Sequence, residues 1–268
     1  MKKITISLIK ELRDRTNISI LECKKALIQS NGNIEIAIDN MRKLGKLKAI
    51  KKYNNVTANG IILTKTSTTD NIGVILEINC ETDFVSQEAN FLKFSHEILN
   101  YALLNEIGNI KVLKEVFEEE RIKLVNVVDE NINIRRVDLL KGANIGNYSH
   151  GMRIGVLVSM NKDINKTIIK HIAMHIAASK PEYISTEEIP QDIFLHEKNI
   201  QLEIAQQSDK DDLTIEKIVN GRLKKIFNNI TLMNQEFIID PKWTVGNMLK
   251  KYNGKIFKFI RFEVGDLL

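Results

Sequence analysis

The chain has 268 residues, 43% of them hydrophobic and 27% charged, with 39 basic and 34 acidic side chains giving a net charge of +5; this length suits a two-lobed domain or two to three modules of a soluble globular protein. The near-balance of signs leaves no field strong enough to mark a direct, sequence-specific nucleic-acid binder, although the small excess of cations permits an acidic partner. No run of 18 apolar residues appears, so no membrane span is expected, and Cys23 and Cys80 lie outside any CxxC or CxxH cluster, which argues against a disulfide scaffold or structural zinc and for a reducing, cytoplasmic compartment.

Met1-Lys2-Lys3 precedes an apolar run of about six residues, too short for a secretory signal. Residues 1–45 read as a three-helix module. Thr5 or Ser7 can cap a first helix carrying Leu8, Ile9 and Leu12, and residues 15–19 make a turn. Leu21, Ala26 and Leu27 pattern a second helix, stopped at Asn31-Gly32-Asn33. Ile34, Ala37, Ile38 and Met41 pattern a third, which Gly45 is expected to end. A core this small suits docking rather than catalysis. Residues 46–56 continue a basic run from Arg42 to Lys52 and read as a solvated linker, since only Tyr53 is near for base stacking.

From residue 57 the period becomes two. Strands are expected over 60–66 and 73–80, with Val74, Leu76, Ile78 and Cys80 on one face and Ile75, Glu77 and Asn79 on the other. A helix with Phe91, Phe94, Ile98 and Ala102 on its buried stripe follows, then one helix from Val112 to Val125, then a strand over 132–140. This makes an α+β subdomain, 57–141. A second subdomain, 142–268, repeats the pattern. Gly73–Ile78 matches Gly155–Met160 at an offset of 82 residues, whereas Phe91–Phe94 matches Ile168–His171 at 77. Five residues at or beside Cys80–Phe84 therefore look surplus to the repeat. The second subdomain closes with a helix over 245–252 and a strand over 256–264. Residues 187–230 read as an insertion of two amphipathic helices, an antiparallel coiled-coil arm. Ile193, Ile200 and Ile204 lie on one inner face, Ile215, Val219, Leu223, Ile226 and Ile230 on the other, and 208–212 form a polar tip.

Little here suggests chemistry. Phosphate-binding glycine loops and a GxSxG elbow are absent, and Cys80 has no evident base. His171 and His175 share metal-ligand spacing but lack a third ligand, so they suit a packing face or a partner contact. Arg135 and Arg136, on opposed strand faces, suit one salt bridge each. No cofactor, metal or catalytic residue is expected. Asp83 and Phe84 could simply cap and staple a helix start; their place in surplus sequence favours an exposed corner instead.

Leu12–Thr16, Cys23–Leu27, Asn31–Glu35, Ala37-Ile38 and Met41–Lys43 resemble the ubiquitin-associated-type domain that opens bacterial elongation factor Ts. Asn79–Val85, Glu130–Arg136, His150–Val158, Lys170–His175 and Phe259–Gly265 resemble further signatures of that family, in order along the chain. The resemblance implies an N-terminal three-helix ubiquitin-associated-like module, two repeated α+β subdomains and an inserted coiled-coil arm. It also implies a non-enzymatic guanine-nucleotide exchange factor for elongation factor Tu, bound in GDP-loaded and nucleotide-free states. On that basis Thr82, Asp83, Phe84 and Val85 wedge beside the GTPase Mg²⁺ and phosphate site. Arg13 and Lys24 dock the N-terminal module, and Val128, Asp129, His150, Ile238 and Ile239 match other contact positions, with Asp129 standing where the family commonly has Gly. Longer members continue into a further C-terminal helical module, so weaker docking is implied here. Whether the arm contacts the GTPase or pairs two copies in a homodimer is left open. The alternative from charge alone is a basic RNA- or ribosome-binding translation protein, and ubiquitin-type docking ranks third.

Overall fold

A computed structural model describes residues 4–16, 18–207 and 212–266. Asn17 of the first turn and residues 208–211 of the expected polar tip lie outside them. The chain divides into two compact units, Met1–Lys65 with Val74–Leu139 and Phe262–Leu268, and Thr66–Gly73 with Leu140–Arg261. Both mix helix and strand, and among the described residues there are two sheets, each antiparallel with three strands.

In the first unit, α1 (Ile6–Thr16), α2 (Ile20–Gln29) and α3 (Ile34–Lys52) close on Leu12, Cys23, Ala26, Leu27, Ala37 and Met41. The caps are local. The Thr5 hydroxyl accepts from Leu8 N, Ser19 caps α2 and Asn33 caps α3. Gly45 does not end α3, which runs on through the expected linker to Lys52. The reason is packing: a Cβ on Gly45 would lie 2.1 Å from Asn126 Nδ2, so glycine lets α3 approach a helix of the same unit.

That unit continues through β1 (Asn59–Thr66), β2 (Ile72–Cys80), α4 (Asp83–Ser86), α5 (Ala89–Leu104), α6 (Ile110–Val116), α7 (Glu118–Val128) and β3 (Asn133–Lys141), with β2 central in the order β1-β2-β3. Val74, Leu76, Ile78 and Cys80 enter a core with Phe91, Phe94, Ile98 and Ala102 from α5. The single helix expected over 112–125 breaks at Phe117, which ends α6 and precedes α7. Its ring meets Phe94 and Tyr101 edge-on, with centroids 6.2 and 5.4 Å away, an aromatic geometry that anchors the break. On the other face of β2, Glu77 is fully buried. Arg135 and Arg136, expected to pair with one partner each, both converge on it, at 3.1 and 2.6 Å. A buried carboxylate needs such paired compensation. Arg136 also lies 4.0 Å over the Phe262 ring and bonds Glu263 O and Asp266.

The second unit holds β4 (Asn144–His150), β5 (Ile154–Met160), α8 (Lys166–Ser179), α9 (Gln191–Gln206), α10 (Asp212–Ile230), α11 (Val245–Lys251) and most of β6 (Ile256–Glu263). Its sheet order is β4-β5-β6. β4, a polar strand absent from the periodicity reading, pairs antiparallel with β5 from Asn144↔Met160 to His150↔Ile154. The three-residue turn between them, 151–153, places Gly151 and Met152 at φ 56° and 55°, and Arg153 N donates to His150 O at 3.0 Å, a turn whose positive φ values follow the twist of the flanking strands. In the helix pair, α10 presents Ile215, Val219 and Leu223 as expected, with Ile226 and Ile230 partly buried beside them, and adds Phe227, which periodicity did not single out. The face of α9 differs: Ile193, Ile200 and Ile204 are exposed, Leu202 and Ala205 pack instead, and Phe194, though itself partly in solvent, stacks one ring face on Phe227 at 5.1 Å. A shift of one or two positions turns a helix face by roughly 100–200°, and here the aromatic pair sets the rotation.

The repeat is also adjusted. Buried Phe91, Phe94, Ser95, Ile98 and Leu99 of α5 correspond to buried Ile169, Ile172, Ala173, Ile176 and Ala177 of α8, an offset of 78 residues rather than 77. With the central strands aligned as before, the first copy carries four surplus residues, the length of α4.

Candidate partner-docking site

The corner begins where β2 runs out. Cys80 is buried and its Sγ donates to Thr82 O at 3.0 Å; burial first, then the nearby Glu130 carboxylate, pushes its thiol up to about 12. That is a packed cysteine, not a nucleophile. Thr82, in extended conformation, caps α4 by accepting from Val85 N at 3.4 Å. Thr82, not Asp83, is therefore the cap, since its hydroxyl is the side-chain oxygen within reach of that amide. Asp83 opens the helix, and among the described residues its carboxylate has no hydrogen-bond partner. Val85 turns into the core with Cys80 and Phe91. Phe84 staples nothing: its side of the turn faces solvent and it is 83% exposed.

A two-way carboxylate brace holds this corner. Glu130 accepts from Glu81 N at 3.1 Å, Thr82 N at 3.0 Å and the Thr82 hydroxyl at 2.6 Å. Glu81 in return accepts from Asn131 N at 2.6 Å and Asn55 Nδ2 at 3.0 Å, while its carbonyl accepts from Asn59 Nδ2 at 2.9 Å. Charge-assisted bonds of this kind are roughly twice as strong as neutral ones. The backbone beneath Phe84 is thus fixed although the ring itself stands largely in solvent. Periodicity alone missed Glu130 as the brace; its only signal was its place in a run that resembles a family signature.

The neighbouring positions resolve differently. Val128 is half-buried against the same core. Asp129 ends α7 at φ 60°, ψ 29°, the left-handed region that explains a glycine preference there and that Asp tolerates. Its carboxylate meets Lys52 at 2.8 Å and Lys48 at 2.9 Å, bonds that hold its pKa below the ordinary value, Lys52 contributing most. Arg13 and Lys24 are exposed on α1 and α2.

In the second unit, His175 is fully buried. Its Nδ1 accepts from Ile238 N at 3.3 Å, so Nε2 carries the proton and donates to Gln235 Oε1 at 2.9 Å. With both ring nitrogens engaged it positions Ile238 rather than ligating metal, and burial lowers its pKa. Ile238 and Ile239 are exposed. Ile239 and His171 line a cleft of about 270 Å³ with Phe237, Trp243 and Lys251. His150, also exposed, bonds Tyr148 at 3.2 Å. Among the described residues no cluster of His, Cys, Asp and Glu could hold a metal, and no helix is long and apolar enough to cross a membrane.

Residues 81–266 match the family model for elongation factor Ts. Over 266 residues the chain is 51% identical to elongation factor Ts of Yersinia pestis (strain Pestoides F) and to that of Yersinia pseudotuberculosis serotype O:3 (strain YPIII), covering 99% of this chain and 93% of each relative.

The chain belongs to the elongation factor Ts family.

It is accordingly a translation elongation factor. The family match opens at Glu81, one of the two braced carboxylates. The corner itself is a solvent-facing aromatic on a backbone held from both sides.

Proposed function

We propose that this chain is a guanine-nucleotide exchange factor for elongation factor Tu that acts without catalysing a chemical step. The observation that carries the reading is Phe84, 83% exposed on a four-residue helix absent from the second copy of the repeat. An apolar ring held in water by a charge-assisted brace gains free energy only when a partner covers it. In the GTPase, Mg²⁺ and oriented N–H groups hold the nucleotide phosphates, and a rigid wedge carrying Phe84 and the carboxylate of Asp83 would disturb both together. Thr82 and Val85 anchor the wedge. The first three helices, read as a ubiquitin-associated-like module with Arg13 and Lys24 outward, supply a second docking surface; Val128, His150, Ile238 and Ile239 supply others. The α9–α10 pair is read as a coiled-coil arm, and the setting is the cytoplasmic translation apparatus.

The basic run that favoured RNA is partly occupied, since Lys48 and Lys52 are bound to Asp129. The deciding experiment follows release of fluorescent GDP from elongation factor Tu on mixing with the wild-type chain. Saturable acceleration supports exchange; no acceleration, with RNA retention that falls steeply with salt, favours the RNA-binding alternative.

A further inference from the structure

Asp129 sits at the junction of three elements of the first unit. Its carboxylate binds Lys48 and Lys52 of α3, Lys52 also donates to its backbone carbonyl, and Lys48 lies 3.7 Å from Glu22 of α2. The next two residues work in the other direction. Glu130 bonds Glu81 and Thr82, and Asn131 Nδ2 donates to the carbonyls of Tyr53 and Asn55, just past α3. Residues 129–131 therefore join the end of α3 to the corner that carries Phe84.

From this geometry we infer that Asp129 is a positioning residue: it acts through Lys48 and Lys52 to clasp the three-helix module to the same body as the Phe84 corner, so that two docking surfaces meet their partner already aligned. Its consequence for exchange rests on the function proposed above. Without the clasp, α3 keeps its packing through Gly45 and buried Ala49, but the module gains freedom about that contact which docking must then remove, and this weakens affinity rather than the step that follows it. Ion pairs this exposed are individually modest and sensitive to salt.

The structural test uses the full chain with nitroxides at Lys10 and Gln87, introduced as unnatural side chains, and reads their distance distribution by double electron–electron resonance. A narrow distribution is expected for wild type and a broader one for Asp129→Gly, a substitution the left-handed backbone accepts. Equal widths overturn the clasp whatever the exchange assay shows. The functional test is a cycle of Asp129→Gly, Lys48→Gln/Lys52→Gln and the triple variant. Each of the first two is expected to raise the half-saturating concentration for GDP release by roughly three- to tenfold at low salt. The triple variant should be no worse than Asp129→Gly alone. Multiplicative effects would show that Asp129 acts independently of the two lysines and overturn the inference. Phe84→Ala, run beside them, separates the two claims: if it alone leaves release unchanged the wedge fails, while the resonance widths still decide the clasp.

Discussion

Replacing Phe84 with alanine removes the ring and little else. Because the side chain is 83% exposed and outside the core of its unit, the folded protein loses no packing, and its stability should move by less than about 0.5 kcal/mol. Thr82, Glu130 and Val85 keep the helix and its brace. Docked against a partner, the same ring would leave water, which is worth about 1.5–3 kcal/mol for a phenylalanine. At about 1.4 kcal/mol per decade, the variant should slow release of labelled GDP from elongation factor Tu by at least about tenfold, and by at most about a hundredfold. The assay is stopped-flow fluorescence with factor in excess, together with a urea denaturation curve. A normal urea midpoint with unchanged release would refute the wedge. A lowered midpoint would mean that the ring supports the fold, contrary to its exposure.

Glu130→Ala leaves two amides and a hydroxyl without their acceptor, so we expect a loss of about 1–3 kcal/mol in urea denaturation and slower GDP release, with Phe84 still present but no longer held. Acid should weaken the second unit through His175. Its folded pKa is depressed by burial, so its contribution is present above the unfolded value of about 6.5 and lost as pH falls through the folded one. Hydrogen exchange between pH 7 and 5 should show this loss around Ile238, because protonated Nδ1 cannot accept from that amide, and His175→Gln should flatten the pH dependence.

Much of the core was legible because buried positions recur at fixed spacing. The stripe Phe91, Phe94, Ile98, Ala102 and the β2 face Val74, Leu76, Ile78, Cys80 are where periodicity placed them. What failed depended on contacts between distant segments. Gly45 reads as a helix stop until Asn126 is seen against it. The inner face of α9 is misleading in sequence because isoleucines mark hydrophobicity, not direction, and only the packed pair shows Leu202 and Ala205 turned inward with Phe194 stacked on Phe227. β4 escaped because its sequence is polar, although Ile145 is buried. At the corner, the unequal repeat points to an exposed Phe84, but local pattern offers only Asp83 as a possible cap where Thr82 serves. The brace from Glu130 spans 48 residues, a distance local pattern does not report.

Linkage offers the sharpest check on exchange by mutual exclusion, because two ligands that weaken each other must do so by one common factor. The measurement is the affinity of this chain, by titration calorimetry, for nucleotide-free and for GDP-bound elongation factor Tu, set beside the affinity of elongation factor Tu for GDP with and without the chain. The two ratios should agree and be large, with the nucleotide-free form bound more tightly. Equal affinity for both forms would contradict the account, since a factor that does not discriminate between them cannot expel the nucleotide.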